Sequence, residues 1–286
     1  MIDRVRTYAA FVRFGHSVFA LPFALAGALL AARDRGRLEA WTFFWIVAAM
    51  VAARSAAMGF NRLADARIDA LNPRTANREL PRGAMTTREA ALFVIVASAA
   101  FVYCAWRLNV LCFALSPLAL AIVFWYSLAK RVTTWTQLFL GLAMAVAPVG
   151  GWLAAGGTGG WAPWLLAAAI GLWVGGFDVL YACQDLAFDR AHGLRSIPVR
   201  FGVGRALVIS RAMHAAAVVC LLALPAVTPL PPIYEIGVAG VAVMLAYEQS
   251  LVSADDLSQV KRAFDLNGYV GIMYLAALAA SIYLGR

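Results

Sequence analysis

Apolar residues run along this chain in long blocks, and polar residues are confined mostly to the joints between them. Nine blocks approach the roughly 20 residues that a helix needs to cross a bilayer. They cover 16–33, 41–59, 90–106, 110–127, 136–155, 161–182, 206–224, 233–251 and 268–285. The pattern predicts an all-α, polytopic membrane protein, one domain over 1–286, with about nine transmembrane helices around a central cavity. The third and fourth blocks are joined only by Arg107-Leu108-Asn109. Pro22, Pro117, Pro148 and Pro163 lie in or near blocks, as membrane helices tolerate.

Composition agrees. The chain is 63% hydrophobic and 14% charged, against roughly 25% charged in soluble domains. The opening residues 1–14 lack a small-residue cleavage site, so the first block reads as a span and not as a removable signal. Cys104, Cys112, Cys183 and Cys220 show no metal-ligand spacing and read as small buried hydrophobes. The nine tryptophans and nine tyrosines read mainly as interfacial belt and packing residues.

A net charge of +9 could suggest nucleic acid. Its distribution points to a membrane instead. Of 24 basic residues, 18 fall on one side. They are Arg4, Arg6 and Arg13; Arg62, Arg67, Arg74, Arg78, Arg82 and Arg88; Lys130 and Arg131; Arg190, Arg195, Arg200, Arg205 and Arg211; and Lys261 and Arg262. The other side carries Arg33, Arg35, Arg37, Arg107 and Arg286, and Arg54 lies inside the second block. Positive charge stays inside, so the N-terminus is expected in the cytoplasm and the C-terminus outside, in a bacterial-type inner (plasma) membrane.

Two acid clusters with the same spacing stand on the cytoplasmic side. The first is Asn61-Arg62-Leu63-Ala64-Asp65-Ala66-Arg67-Ile68-Asp69; the second runs from Tyr181 through Asp185 to Asp189. Polar groups four residues apart project from one face of a helix. Carboxylates stacked this way repel unless a cation lies between them, and hard oxygen donors suit Mg2+, which takes its remaining ligands from water and substrate phosphates. Two such clusters face to face could hold a diphosphate between metal ions. A weak internal repeat supports that pairing. Arg78-Glu79-Leu80-Pro81-Arg82-Gly83 follows the first cluster, and Arg195-Ser196-Ile197-Pro198 through Gly202 follows the second. Copies over roughly 16–130 and 136–262 would set the clusters across a cavity.

Two charges lie deeper. Arg54 precedes Asn61 by seven residues, and Asp178 precedes Asp185 by seven. Charges at membrane depth face a cavity or each other. Either Arg54 and Asp178 face a cavity and bind polar groups of a ligand there, or the two close the bundle as an ion pair. His16 reads as a capping or interfacial residue, and His192 and His214 suggest no function. Asp265 and Asn267 read as solvated loop residues.

The motifs, taken together, resemble the UbiA superfamily of intramembrane aromatic prenyltransferases over nearly the whole chain. The first family motif is matched by Asn61, Asp65 and Asp69, and the second by Asp185 and Asp189. Tyr126, Lys130 and Arg131 match the stretch between them, and Arg62 departs from the aspartate common there. The segment His16–Phe23 looks like the branch acting on quinone precursors. Arg78–Gly83 and Tyr181–Asp185 look closest to the branch of menaquinone synthesis through futalosine, which is 4-hydroxybenzoate polyprenyltransferase-like.

The resemblance implies transfer of a prenyl chain from polyprenyl diphosphate to a hydroxylated aromatic acid, in ubiquinone or menaquinone synthesis. It implies Mg2+ held by Asn61, Asp65, Asp185 and Asp189, with Asp69 on the metal or one layer behind. Tyr126, Lys130, Arg131, Arg67, Arg74 and Arg78 would bind diphosphate, and Arg54 and Asp178 the acceptor. No nucleic acid and no obligate protein partner is expected. Haem O synthase-like or chlorophyll synthase-like acceptors are the alternative within the superfamily. A secondary transporter would not need two acid clusters at helix ends. The D-G-x-x-A-R pattern of CDP-alcohol phosphotransferases is absent from the sequence.

Overall fold

The computed structural model describes residues 7, 8, 10–12 and 20–284. Arg4, Arg6, Arg13, His16 and Arg286 lie outside the described residues, as does the start of the first apolar block. No strand occurs among the described residues. The helices are α1 (Leu21–Ala32), α2 (Ala40–Leu71), α3 (Thr87–Leu108), α4 (Val110–Val132), α5 (Thr136–Ala154) and α6 (Ala162–Ala182). The short α7 (Leu186–Ala191) follows, then α8 (Ile197–Val227), α9 (Ile233–Ser250) and α10 (Val260–Leu284).

Each predicted block, where described, falls on a helix, and among the described residues seven helical segments are both long and apolar enough to span a membrane. The two blocks outside that set are α1, with 12 described helical residues, and α9, whose 18 residues include Glu235, Glu248 and Gln249. Seven of the nine blocks thus meet that length and apolarity among the described residues, and the first block begins outside them. The chain is an integral membrane protein by its seven spans. Its lipid-facing side chains are apolar: Leu92, Ile95, Val96, Leu111 and Leu118 are all exposed.

Several helices overrun their apolar blocks. The 32 residues of α2 measure about 48 Å at 1.5 Å per residue, well beyond a hydrocarbon layer of roughly 30 Å. Its last three turns, carrying Asn61, Asp65 and Asp69, thus extend past the apolar part. Arg62 and Arg67, past the end of the second apolar block, belong to this extension, as Arg200, Arg205 and Arg211 belong to α8. Extended backbone at Asn72, just before Pro73, ends α2. Thr86 and Glu89 then start α3 with a reciprocal capping box.

Tight joints hold the bundle. Asn109 alone separates α3 from α4. Its Oδ1 accepts from the Cys112 amide at 2.8 Å, and its Nδ2 donates to the Leu153 carbonyl at 2.9 Å. Near the same end, the Arg33 guanidinium donates to the Thr228 hydroxyl and the Pro229 carbonyl. Where α1 crosses α5, Gly27 meets the Pro148 carbonyl and Gly151 meets the Ala24 carbonyl, with no room for a Cβ at either glycine. Small residues at such crossings let membrane helices pack backbone to backbone.

The core is built mainly from α1, α5, α6, α8, α9 and α10 around Phe23, Trp173, Tyr234 and Tyr274. Trp173 Nε1 donates to Asn267 Oδ1 at 2.7 Å, and Asn267 is fully buried on α10. The expectation of a solvated loop at Asn267 is thus corrected: α10 begins at Val260, and the amide satisfies an indole inside the core. His214 also has a structural place. Its Nε2 faces the Trp173 carbonyl at 3.1 Å and its Nδ1 faces Gln249 Nε2 at 3.0 Å. A carbonyl only accepts, so the proton belongs on Nε2.

Candidate active site

Four segments meet at one end of the bundle: the overrun of α2 with the loop after it, the last turn of α4, the α6–α7 junction, and the loop into α8. The first acid cluster lies on continuous helix, as its spacing predicts. The second does not. Helix α6 stops at Ala182, a single 3-10 turn carries Cys183–Asp185, and α7 restarts at Leu186. Asp185 sits at the junction with φ −95° and ψ 4°, outside the α region. The tighter turn changes the angular step between residues, so Asp185 and Asp189 are not simple rungs on one face.

Cations from one cluster's surroundings grip the carboxylates of both. Asp65, 3% exposed, accepts from Lys130 Nζ at 2.6 Å through Oδ2 and from Arg131 Nη2 at 3.0 Å through Oδ1. Arg131 also donates to the Ala64 carbonyl at 2.6 Å. Asn61 Nδ2 lies 3.4 Å from both Asp65 Oδ2 and Ser127 Oγ. Asp69 receives Arg78 Nη1 at 2.8 and 2.7 Å. Arg74 crosses between the clusters. Its Nε and Nη2 reach the two oxygens of Asp185 at 3.0 and 2.6 Å, while Nη1 donates to the Tyr181 hydroxyl at 3.0 Å. Burial opposes the Arg74 charge most strongly of any single cause, but its hydrogen bonds to Asp185 and the charges of Tyr181, Asp185 and Asp69 together outweigh burial and hold it above the ordinary arginine value.

The remaining acids have fewer cations. Asp178 and Asp189 each feel the negative charge of Asp185, which Lys130 offsets in part at both and Arg74 at Asp189. No ion pair to Asp178 or Asp189 occurs among the described residues. Tyr126 is partly buried, within electrostatic reach of Arg54, Asp65 and Asp178. Arg54 and Asp178 are themselves half-buried. Arg67 is exposed on α2 and makes no ion pair among the described residues.

Three partners carried no distinguishing sequence signal. Ser127 is one of many apolar-block serines until it meets Asn61. Tyr181 opens the second cluster, yet only the fold shows that it backs Arg74 through its hydroxyl, with the guanidinium also 5.4 Å from the ring centroid. Arg195 meets Lys130 through backbone groups, which sequence spacing cannot report.

A helical membrane bundle with this polar centre at one end is a recognisable class of membrane-embedded protein, and comparison with known proteins gives the family. The chain belongs to the UbiA prenyltransferase family, whose model matches residues 20–278. It is similar to the 4-hydroxybenzoate octaprenyltransferase of Aliivibrio salmonicida, 31% identical over 232 residues, which is 81% of each chain. The protein of the same name from Edwardsiella ictaluri is 34% identical over 229 residues, 79% of each. Among solved structures, the apo form of a UbiA homolog from Aeropyrum pernix K1 is 38% identical with a TM-score of 0.84, covering 93% of this chain and 98% of that one. A UbiA homolog from Archaeoglobus fulgidus bound to GPP and Mg2+ is 20% identical with a TM-score of 0.74 over 96% and 99%, and likens the fold alone. Membership makes the chain a prenyl-transferring enzyme.

Proposed function

We propose that the chain joins a polyprenyl group, delivered as its diphosphate, to a ring carbon of a hydroxylated aromatic acid of the 4-hydroxybenzoate or 1,4-dihydroxy-6-naphthoate type. The reaction would serve ubiquinone or menaquinone synthesis. The observation that carries this reading is the Arg74–Asp185 pair: a cation from beside the first cluster holds a carboxylate of the second at 2.6 Å. The two clusters therefore share one polar centre. The relatives named 4-hydroxybenzoate octaprenyltransferase support the acceptor class.

The donors suit a hard divalent cation. They are oxygens only, though among the described residues no three acids are gathered closely enough to hold a metal, and in the substrate-free protein Arg74 and Lys130 pair with Asp185 and Asp65 instead. Asn61, Asp65, Asp185 and Asp189 would hold Mg2+, with Asp69 on the metal or one layer behind. Bound there, Mg2+ would neutralise the leaving diphosphate and favour cleavage of the allylic C–O bond. The chain's own cations complete the work. Lys130, Arg131, Arg74 and Arg78 now rest on carboxylates; each would exchange a carboxylate for a phosphate oxygen as substrate enters. Tyr126 borders the same space. Arg67, on the exposed face, is left out of this set. As the C–O bond breaks its electron pair stays with the diphosphate, a C–C bond forms to the ring carbon, and the ring proton passes to a base, the released diphosphate or water. The apolar bundle limits the water that would quench the allylic cation.

Arg54 would bind the acceptor's carboxylate and Asp178 its ring hydroxyl. Arg54→Lys keeps the charge but loses the planar fork. Losing a charge-assisted contact worth about 1.5–3 kcal/mol should raise the acceptor KM by one to two orders of magnitude and leave the prenyl diphosphate KM nearly unchanged. Steady-state kinetics with each substrate varied in turn decides this; an unchanged acceptor KM would rule out the carboxylate contact.

The positive side chains cluster at this end of the bundle, which supports a cytoplasmic site in the inner membrane. Single cysteines at Gly83 and Gly202, in a chain freed of its own cysteines, should resist an impermeant thiol reagent added to intact cells. One at Gly157, at the far end, should react. The reverse labelling would invert the assigned orientation.

A further inference from the structure

We propose that Arg195 is a positioning residue that sets Lys130 against Asp65 by capping the end of α4. The proposal rests on the reading of Lys130 as a diphosphate contact.

The last four carbonyls of a helix have no donor within it. At the end of α4, the Ala129 carbonyl is taken by the Thr133 amide at 2.8 Å. Two of the others are taken by one distant residue. The Arg195 amide donates to the Lys130 carbonyl at 2.8 Å, and Arg195 Nη1 donates to the Val132 carbonyl at 2.7 Å. A cation at a helix C-terminus also favours the helix dipole.

The same loop is tied on both sides. Upstream, the Leu194 amide donates to the Asp189 carbonyl at 2.9 Å, and the Leu194 side chain is buried. Downstream, the Arg195 carbonyl accepts from Thr136 Oγ1 at 3.2 Å, and the Ile197 amide donates to Gln137 Oε1 at 3.1 Å. Ser196 caps the start of α8 through its hydroxyl, 3.3 Å from the Val199 amide. A short hydrogen-bonded path thus runs from the backbone of Asp189 through Leu194 and Arg195 to the backbone of Lys130. Lys130 leaves that last turn to reach Asp65 at 2.6 Å. The ammonium is aimed by a turn whose end is held from the second cluster's own loop. The Arg195 guanidinium lies at the surface, outside both acid motifs, and makes no ion pair among the described residues.

Removing the guanidinium leaves the backbone bonds and the buried Leu194 in place, so the fold should survive while the last turn of α4 loosens. A double-mutant cycle separates action through Lys130 from independent action. The probe is inorganic diphosphate with Mg2+, titrated calorimetrically into the full-length protein in detergent, with melting temperature followed in parallel. Arg195→Ala should weaken diphosphate binding by about fivefold, the upper end of a cation's effect at a helix terminus. In a Lys130→Ala background the same change should cost less than about twofold. Arg195→Lys, which keeps a donor and a charge, should recover most of the loss. Wild-type binding by Arg195→Ala, or an equal loss in both backgrounds, would overturn the proposal. Should Arg195→Ala fail to fold, Arg195→Gln takes its place in the cycle. Wild-type binding by Lys130→Ala would instead remove the reading of Lys130 itself, and the proposal with it.

Discussion

Asp65→Asn should lower prenyl transfer by on the order of 10²–10³-fold, the usual cost of removing one preorganised electrostatic group from an active site. Asp65 is buried and accepts from two cations, Lys130 and Arg131. No other carboxylate of the first cluster makes two such ion pairs among the described residues. Asparagine keeps the volume and one carbonyl oxygen but loses the charge that would hold Mg2+ and align Lys130. The variant should still fold. The side chains of Lys130 and Arg131 are 26% and 35% exposed, so water can solvate the cations left behind, and only modest stability is lost. The check is turnover at saturating and at limiting Mg2+, beside a melting curve. Near-wild-type turnover at limiting Mg2+ would remove Asp65 from the site.

Asp189→Asn should show a different combination: activity lowered by on the order of 10²-fold or more, with a melting temperature no lower than that of wild type. Asp189 has no ion pair among the described residues and lies within reach of Asp178 and Asp185. Burial and the charge of Asp185 together disfavour its ionised form in the substrate-free protein, and Lys130 and Arg74 offset this only in part. Removing the charge relieves that opposition. A group that works against stability yet is needed for turnover is a signature of a functional site. Its backbone carbonyl, bonded to the Leu194 amide, is untouched by the substitution. A clear fall in melting temperature with activity retained would make Asp189 structural.

The apolar blocks made the helices legible because burial in lipid demands long runs of one character. The same rule hid the helix ends. Nothing apolar marks where α2 stops, and its polar overrun through Asp69 and Leu71 reads as loop until Pro73 is weighed. Spacing alone brought out Asn61, Asp65, Asp69, Asp185 and Asp189, because repeated polar groups inside an apolar chain need a reason. Spacing could not show the 3-10 turn at Cys183–Asp185, which depends on how α6 and α7 pack and not on local composition. Pairing was illegible for the same reason. Arg74 and Arg67 look alike in sequence, yet one crosses to Asp185 and the other faces outward. Asn267 gave no sign of its indole partner, since Trp173 lies 94 residues away on another helix.

The central claim is that the paired clusters promote prenyl transfer to an aromatic acid. The most direct measurement incubates the purified full-length chain with a long-chain polyprenyl diphosphate, Mg2+ and either 4-hydroxybenzoate or 1,4-dihydroxy-6-naphthoate. Mass spectrometry then follows the prenylated product while released diphosphate is assayed in the same tube. One acceptor should gain the prenyl group in place of a ring hydrogen, with one diphosphate released per product, and chelation of Mg2+ should stop both. Diphosphate release with neither acceptor prenylated, or product formation that persists after chelation, would contradict it.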